Sequence, residues 1–167
     1  MAELSEPIAS SDLSSNIRQQ CFQLVKDNLQ NMYRQSEMGW SDAAKLKEMQ
    51  IDELHYILVY EERPKVVAFC SFMFDQQNDT DLIYVYEVQV HMEHRRKKYG
   101  RALMEYVETL AREKAIFKIM LTVFTANEAA QRFYHQLGYV LDPSSPSPRR
   151  LRKRNKVATY MILCKQL

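Results

Sequence analysis

A chain of 167 residues has the length of one domain and can bury a proper core. Its 46% hydrophobic and 26% charged residues are ordinary for a soluble globular protein. A net charge of +2 is too mild to argue for nucleic acid, although the positive residues cluster at 95–101 and 149–156. Three cysteines, Cys21, Cys70 and Cys164, are odd in number, far apart and outside any Cys-x-x-Cys spacing. That excludes a disulfide framework and points to a reducing intracellular compartment, with each thiol read as a small core residue. The N-terminal "MAELSEPIASSDLSS" lacks a basic start followed by an apolar run, so no secretory signal is read there. Runs such as "YILVY" are too short to span a bilayer, and no membrane role is expected.

In chain order, residues 1–13 are polar and expected to be a flexible N-terminal segment ahead of one domain over 14–167. From Ile17, the positions Cys21, Leu24, Val25, Leu29 and Met32 recur at three-to-four spacing, which predicts an amphipathic helix ending near Tyr33. After the break "SEMGW", Ser41 or Asp42 can cap a short second helix to about Met49. Strand-like runs follow, "HYILVY" (55–60) and "KVVAFCSFMF" (65–74), rich in β-branched and aromatic residues, then "LIYVYEVQV" (82–90), joined by the turns "EERP" and "DQQNDTD". This is an antiparallel meander. A helix then presents Tyr99, Leu103, Tyr106, Val107 and Leu110 on one face, and "FKIMLTVF" (117–124) is a strand. Asn127 caps a helix with Ala130, Phe133, Tyr134 and Leu137 on its apolar side, stopped by Gly138. A short strand "YVL", a Pro/Ser-rich then basic loop, and a last strand "VATYMILC" complete the chain. Helices interleaved with a mixed sheet make the fold α/β or α+β.

The segment "RRKKYGRAL" (95–103) lies between a strand and a helix. Helix starts offer unpaired N–H groups and a positive dipole end, and Arg and Lys add charge-assisted hydrogen bonds, so the frame suits an anion. The plainer reading is a solvated basic face. Neither G-x-G-x-x-G nor G-x-x-x-x-G-K-[ST] occurs, which excludes dinucleotide and P-loop sites. His91 and His94 in "HMEH" are read as solvated, and no metal site is expected. Glu87 interrupts a strand that otherwise reads as buried. Ile83 and Val85 share its alternating face and are apolar, so polarity starts abruptly there, as at a bulge or a cleft. A partly buried carboxylate beside a cleft is a base candidate.

The basic segment resembles the Arg/Gln-x-x-Gly-x-Gly/Ala loop of the GCN5-related N-acetyltransferases (GNAT), with Arg95 and Gly100 at the outer positions and Lys98 in place of the first glycine. "ANEAAQRFYHQLGY" is similar to that superfamily's Asn-x-x-Ala-x-x-x-Tyr-x-x-x-Gly-Phe stretch, at Asn127, Ala130, Tyr134 and Gly138. "MYRQSEMGW", "FMFD", "YVYEVQV", "MLTVF" and "DPSSPS" together look like the D-type N-terminal acetyltransferases, over about residues 20–165. The resemblance implies a GNAT fold and acetyl transfer from acetyl-CoA to the α-amine of histone tails beginning Ser-Gly-Arg-Gly. It implies Glu87 as general base, with Tyr33, Tyr86 and Tyr160 lining the site. It places the cofactor on Val88, Gln89, Val90, Arg95, Arg96, Lys97, Lys98, Tyr99, Gly100, Arg101, Ala102, Asn127 and Tyr134, with Tyr134 as a proton donor to the leaving thiolate. Substrate contacts would come from Tyr33, Met38, Trp40, Asp75, Gln77, Tyr84, Tyr86, Ser144 and Tyr160. Met38 stands for an expected tryptophan and Gln77 for a second acid, which Asp79 or Asp81 would have to supply. A monomer in cytoplasm and nucleus is expected. The basic run 149–156 leaves room for nucleic-acid contact or a nuclear address without requiring either. The competing readings are a lysine or small-amine acetyltransferase, or a non-catalytic CoA- or chromatin-binding module, since fold alone does not fix function.

Overall fold

The computed structural model describes residues 2–146 and 158–167. The elements are β1 (Glu3–Leu4), β2 (Ile8–Ala9), α1 (Ser15–Gln35), α2 (Asp42–Glu48), β3 (His55–Tyr60), β4 (Val66–Gln77), β5 (Thr80–Val90), α3 (Tyr99–Glu113), β6 (Lys118–Phe124), α4 (Glu128–Gln136), β7 (Val140–Leu141) and β8 (Tyr160–Gln166). The helix starts are capped as their sequences allow. Ser14 Oγ accepts from Ile17 N, Ser41 Oγ from Ala44 N and Asn127 Oδ1 from Ala130 N, at 3.2, 3.2 and 3.1 Å.

The strands form one mixed, mostly antiparallel sheet in the order β1-β3-β4-β5-β6-β8-β7, with β2 also on β3. Only β5 and β6 pair in parallel, and α3 provides the crossover that a parallel pair needs. One sheet face is covered by α3 and α4 through Leu103, Met104, Val107, Ala111 and Tyr134, packed with Ile57, Ile83, Val85 and Leu121. The other face takes α1 and α2 through Ile17, Cys21, Phe22, Leu24, Val25 and Met49, packed with Tyr56, Leu58 and Phe69. Each fully buried Leu, Ile or Val contributes about 1.5–3 kcal/mol, so these two layers carry most of the fold's cohesion. No helix among the described residues is long and apolar enough to cross a membrane.

Two expectations change. Residues 3–13 are not a loose tail: they strap the outer edge of β3. Ser5 N donates to Leu58 O, Leu58 N donates to Ser5 Oγ, and Ser10 N donates to Leu54 O. The "DQQNDTD" turn shrinks to its tip. Asn78 and Asp79 have φ of 52° and 61°, the paired left-handed values of a two-residue hairpin, so β4 and β5 run on to Gln77 and Thr80. The basic run 149–156 lies outside the described residues.

Candidate active site

The site begins where two strands part. β5 and β6 pair only through Ile83–Ile119, Tyr84–Met120 and Val85–Leu121. Beyond that point β5 continues to Val90 and β6 to Phe124 without pairing. The gap opens into a cleft of about 360 Å³, lined from β5 by Tyr84–Gln89 and from β6 by Thr122–Phe124. Tyr33 of α1 and Glu48 of α2 close one side, and Asn127 and Tyr134 close the other. The β5 backbone past Val85 has strand partners on the β4 side only, so its other edge faces the cleft. Such an edge offers unpaired backbone N–H and C=O groups to an extended ligand in the cleft.

A bulge sets the polarity of β5. Ser71 pairs with Glu87 and Phe72 with Val85, which leaves Tyr86 as an extra residue. The bulge reverses the alternation. Ile83 and Val85 sit in the α3/α4 layer together with Val88 and Val90, while Tyr86 and Glu87 turn to the α1/α2 side. The abrupt onset of polarity at Glu87 is therefore a change of face.

Glu87 is 6% exposed, and both its oxygens are engaged. Lys45 Nζ lies 3.1 Å from Oε1, and Gln89 Nε2 donates to Oε2 at 2.7 Å. Burial pushes the Glu87 carboxyl above the usual range, against the pull of Lys45 and Gln89. Lys45 also donates to Tyr33 Oη at 2.8 Å and Glu48 Oε1 at 3.0 Å, and its ammonium lies 4.8 Å from the Tyr33 ring centroid. Burial alone would lower Lys45, but Glu87, Tyr33 and Glu48 together raise it, so it stays charged. The Tyr33 phenol is raised by burial and by Glu87. Tyr134 is raised by burial and stays protonated.

The cleft brings together Tyr33, Met38, Tyr84, Tyr86, Glu87, Val88, Gln89, Asn127 and Tyr134. Trp40 stands behind Tyr33, with ring centroids 5.3 Å apart, and its Nε1 donates to Asp42 Oδ1. Tyr84 Oη is hydrogen-bonded to Thr122 Oγ1, bridging β5 and β6 at the fork. Tyr160 begins β8 opposite Phe124 and does not line the cleft. Ser144 donates both its N–H and its hydroxyl to Asp142 Oδ2, so it shapes the turn after β7. Asp75 is exposed on the face of β4 shared by Met73, which pairs with Tyr84. Gln77 Oε1 accepts from Lys118, whose ammonium also lies 3.0 Å from Asp142 Oδ1. Asp81 Oδ1 is bound by Gln76 Nε2, one residue out of step with Asp75, so Asp81 does not replace the missing acid on that face.

The basic loop leaves β5 directly. Arg96 and Lys98 have φ of 64° and 65°, left-handed backbone that usually calls for glycine. Lys98 thus adopts a conformation open to glycine at less cost. Arg96, Lys97 and Lys98 are exposed at the start of α3. Asn28 of α1 moors this region: its Nδ2 donates to Gln89 Oε1 and Val90 O, and Arg95 donates to its Oδ1. His94 is buried with Nε2 3.1 Å from Glu61 Oε1, and no metal-competent cluster of His, Cys, Asp or Glu occurs among the described residues.

Sequence reasoning missed Lys45, Glu48 and Asn28. Two left a trace. Lys45 lies four residues before the buried Met49, and Asn28 extends the stripe Cys21–Leu24–Val25, so each is a polar residue at a core-facing position.

Comparison with known proteins agrees with this geometry. The profile of the "Acetyltransferase (GNAT) family" matches residues 19–139. The Saccharomyces cerevisiae protein N-alpha-acetyltransferase 40 is 32% identical over 77% of this chain and 53% of its own length, so the chain spans about half of that relative. The fold is shared with Arabidopsis thaliana NAA60 in complex with a bisubstrate analogue, at TM-score 0.71 and 10% identity over 99% of this chain and 98% of that one. It is shared also with the PaiA N-acetyltransferase of Thermoplasma acidophilum in complex with coenzyme A, at TM-score 0.69 and 12% identity over 100% and 99%. With the forked β5–β6 pair, the loop at the start of α3 and a family match over most of the chain, the protein belongs to the GNAT acetyltransferase family.

Proposed function

We propose that the chain is a protein N-α-acetyltransferase that moves acetyl from acetyl-CoA to the N-terminal serine of histones beginning Ser-Gly-Arg-Gly. The observation that carries this reading is a buried carboxylate, Glu87, at the bulge where β5 and β6 part. The name of the yeast relative supports the α-amine as acceptor. An α-amine titrates near ~8 against ~10.4 for lysine, so it asks less of a base. Glu87 has spare lone pairs beyond those used by Lys45 and Gln89, and takes the ammonium proton directly or through one water. The free amine then attacks the thioester carbonyl. As the C–N bond forms and the C–S bond breaks, the nitrogen releases its second proton to water in the cleft. Tyr134, protonated and lining the cleft, gives a proton to the leaving thiolate and recovers one from that water.

The cofactor lies along the open edge of β5 at Val88–Val90, with its pyrophosphate at the amides and cations of residues 95–102, as the similarity to CoA-binding relatives supports. The peptide enters past Met38, Tyr84 and Tyr86 toward Asp75. The expected second acid is Gln77, already bound by Lys118, so the preference for a cation at the third peptide position rests on Asp75. Histone tails as partners place the protein in cytoplasm and nucleus, acting as a monomer.

The test uses acetyl-CoA with a Ser-Gly-Arg-Gly-Lys peptide, free or blocked at its α-amine, and fragment mass spectra to locate acetyl. Acetyl on the free α-amine alone, reduced about 10²–10⁴-fold in Glu87→Gln, is the expected result. Acetyl on lysine in both peptides would assign a lysine acetyltransferase. CoA binding without transfer to either peptide would leave a different substrate or a non-catalytic module as the better reading.

A further inference from the structure

Lysine is almost never fully buried unless paired, yet Lys45 is 5% exposed. Its ammonium touches three groups from three elements: Tyr33 Oη of α1, Glu48 Oε1 of its own helix and Glu87 Oε1 of β5. Resting on the reading above, we propose that Lys45 is a positioning residue for acetyl transfer. It keeps the Glu87 carboxyl ionised and fixed at the fork of β5 and β6.

A structural role alone explains the arrangement poorly. A buried ion pair seldom stabilises a fold better than well-packed apolar residues of similar volume, and an apolar pair would suit the α1/α2 layer. The location argues for chemistry, because Glu87, Tyr33 and Glu48 all line the cleft. The charge count argues the same way. Glu87 and Glu48 carry two negative charges around one ammonium, so the cluster has a net charge of −1 and can accept one proton from an incoming ammonium. Without Lys45, a buried carboxylate faces Glu48 with no counter-ion, and it takes up a proton instead. It can then no longer act as a base. The remaining titratable groups around Glu87 are Tyr33 on α1, Tyr56 on β3, Cys70 on β4 and Tyr134 on α4. Each is neutral at working pH, with its proton affinity raised by burial. None can take the place of Lys45.

The test compares wild type with Lys45→Met, Lys45→Arg and Glu87→Gln. Carbon-13 NMR of labelled glutamate side chains gives the titration of Glu87, identified as the signal lost in Glu87→Gln. In Lys45→Met the midpoint is expected about one unit or more above wild type. In the same variant kcat at pH 7 falls about tenfold or more and recovers as pH rises, while KM for acetyl-CoA changes less than about twofold. Lys45→Arg keeps the midpoint within about half a unit of wild type. If Lys45→Met does not fold, Lys45→Gln makes the same comparison. An unmoved midpoint, or a loss of kcat equal at every pH, in an enzyme whose wild type acetylates α-amines, overturns the role of Lys45 alone. Wild type that acetylates no α-amine overturns the functional reading, and this role with it.

Discussion

Gly100, the second residue of α3, faces the ring of Phe133 on α4, and a Cβ at Gly100 would stand 3.1 Å from Phe133 Cζ. The glycine thus sets how closely α4 approaches the start of α3, beside the basic loop. A methyl group would need the ring to give way slightly, but a larger side chain has no such room. Gly100→Leu is expected to cost about 1–3 kcal/mol by overpacking, read as a lower melting temperature. Adding Phe133→Ala should recover part of the loss. If the two changes simply add, the contact does not constrain residue 100.

Lys98 answers how the basic loop before α3 can be poor in glycine. At φ 65° it adopts the left-handed backbone with a side chain, at about 1–2 kcal/mol. Lys98→Gly and Lys98→Ala both remove the ammonium, but only glycine relieves the backbone. Lys98→Gly is therefore expected to be more stable than Lys98→Ala by about 1 kcal/mol, after glycine's greater freedom in the unfolded chain is counted. Equal melting temperatures would mean that the loop carries no such strain. Both variants should bind acetyl-CoA more weakly than wild type, with a shallower salt dependence, if the ammonium reinforces the amides.

How much of this was legible in the sequence depended on the range of the signal. The period of three to four marked α1, α3 and α4, because each buries one face and exposes another, whereas β3 and the first half of β4 are buried on both faces and stood out by their β-branched and aromatic content. Glu87 stood out because a carboxylate in an apolar strand has few explanations. The bulge hid the reason: strict alternation put Glu87 on the face of Ile83 and Val85, and one extra residue at Tyr86 moved it to the opposite side. Lys45 left only the trace of its spacing to Met49, because α2 has seven residues, too few for periodicity to separate a buried lysine from an exposed one. The strap at 3–13 was read as loose because its residues are polar. Ser5 and Ser10 instead use that polarity to satisfy the edge of β3 and the end of α2. The role of Gln77 depended on Lys118, 41 residues on in the chain, and that of Ser144 on a turn closed by its near neighbour Asp142.

Asp142 makes acid stability testable. Burial opposes its ionisation, but the Ser144 hydroxyl and amide, Lys118 and the Cys164 thiol outweigh it and hold the carboxyl well below its ordinary 3.8. A lowered carboxylate contributes stability above the unfolded value and loses it as pH falls through the folded one. The melting-temperature gap between wild type and Asp142→Asn is therefore expected to be constant from neutral pH to about 4.5 and to shrink steadily below that. At neutral pH the gap should correspond to about 2 kcal/mol, as for a lost set of hydrogen bonds to a charged group. A gap that widens toward acid would reverse the sign and refute the assignment.

Asn28 couples α1 to the end of β5 and the basic loop that follows it. One side chain holds Gln89 Oε1, Val90 O and the Arg95 guanidinium, all within 3.1 Å. Gln89 in turn donates to Glu87, so the same amide reaches Glu87 through one residue and the basic loop through another. Asn28→Ala leaves a carbonyl, an amide and a guanidinium without their partner, at a cost of about 1–3 kcal/mol. The loop should suffer more than the chemistry, because Arg95 loses its only side-chain partner among the described residues, while Glu87 keeps Lys45. KM for acetyl-CoA is thus expected to rise about three- to tenfold, with kcat reduced less, a split that marks lost ground-state binding. Steady-state kinetics at fixed, saturating peptide measure it. A fall in kcat with KM unchanged would move Asn28 from the cofactor's anchor to the support of Glu87, acting through Gln89.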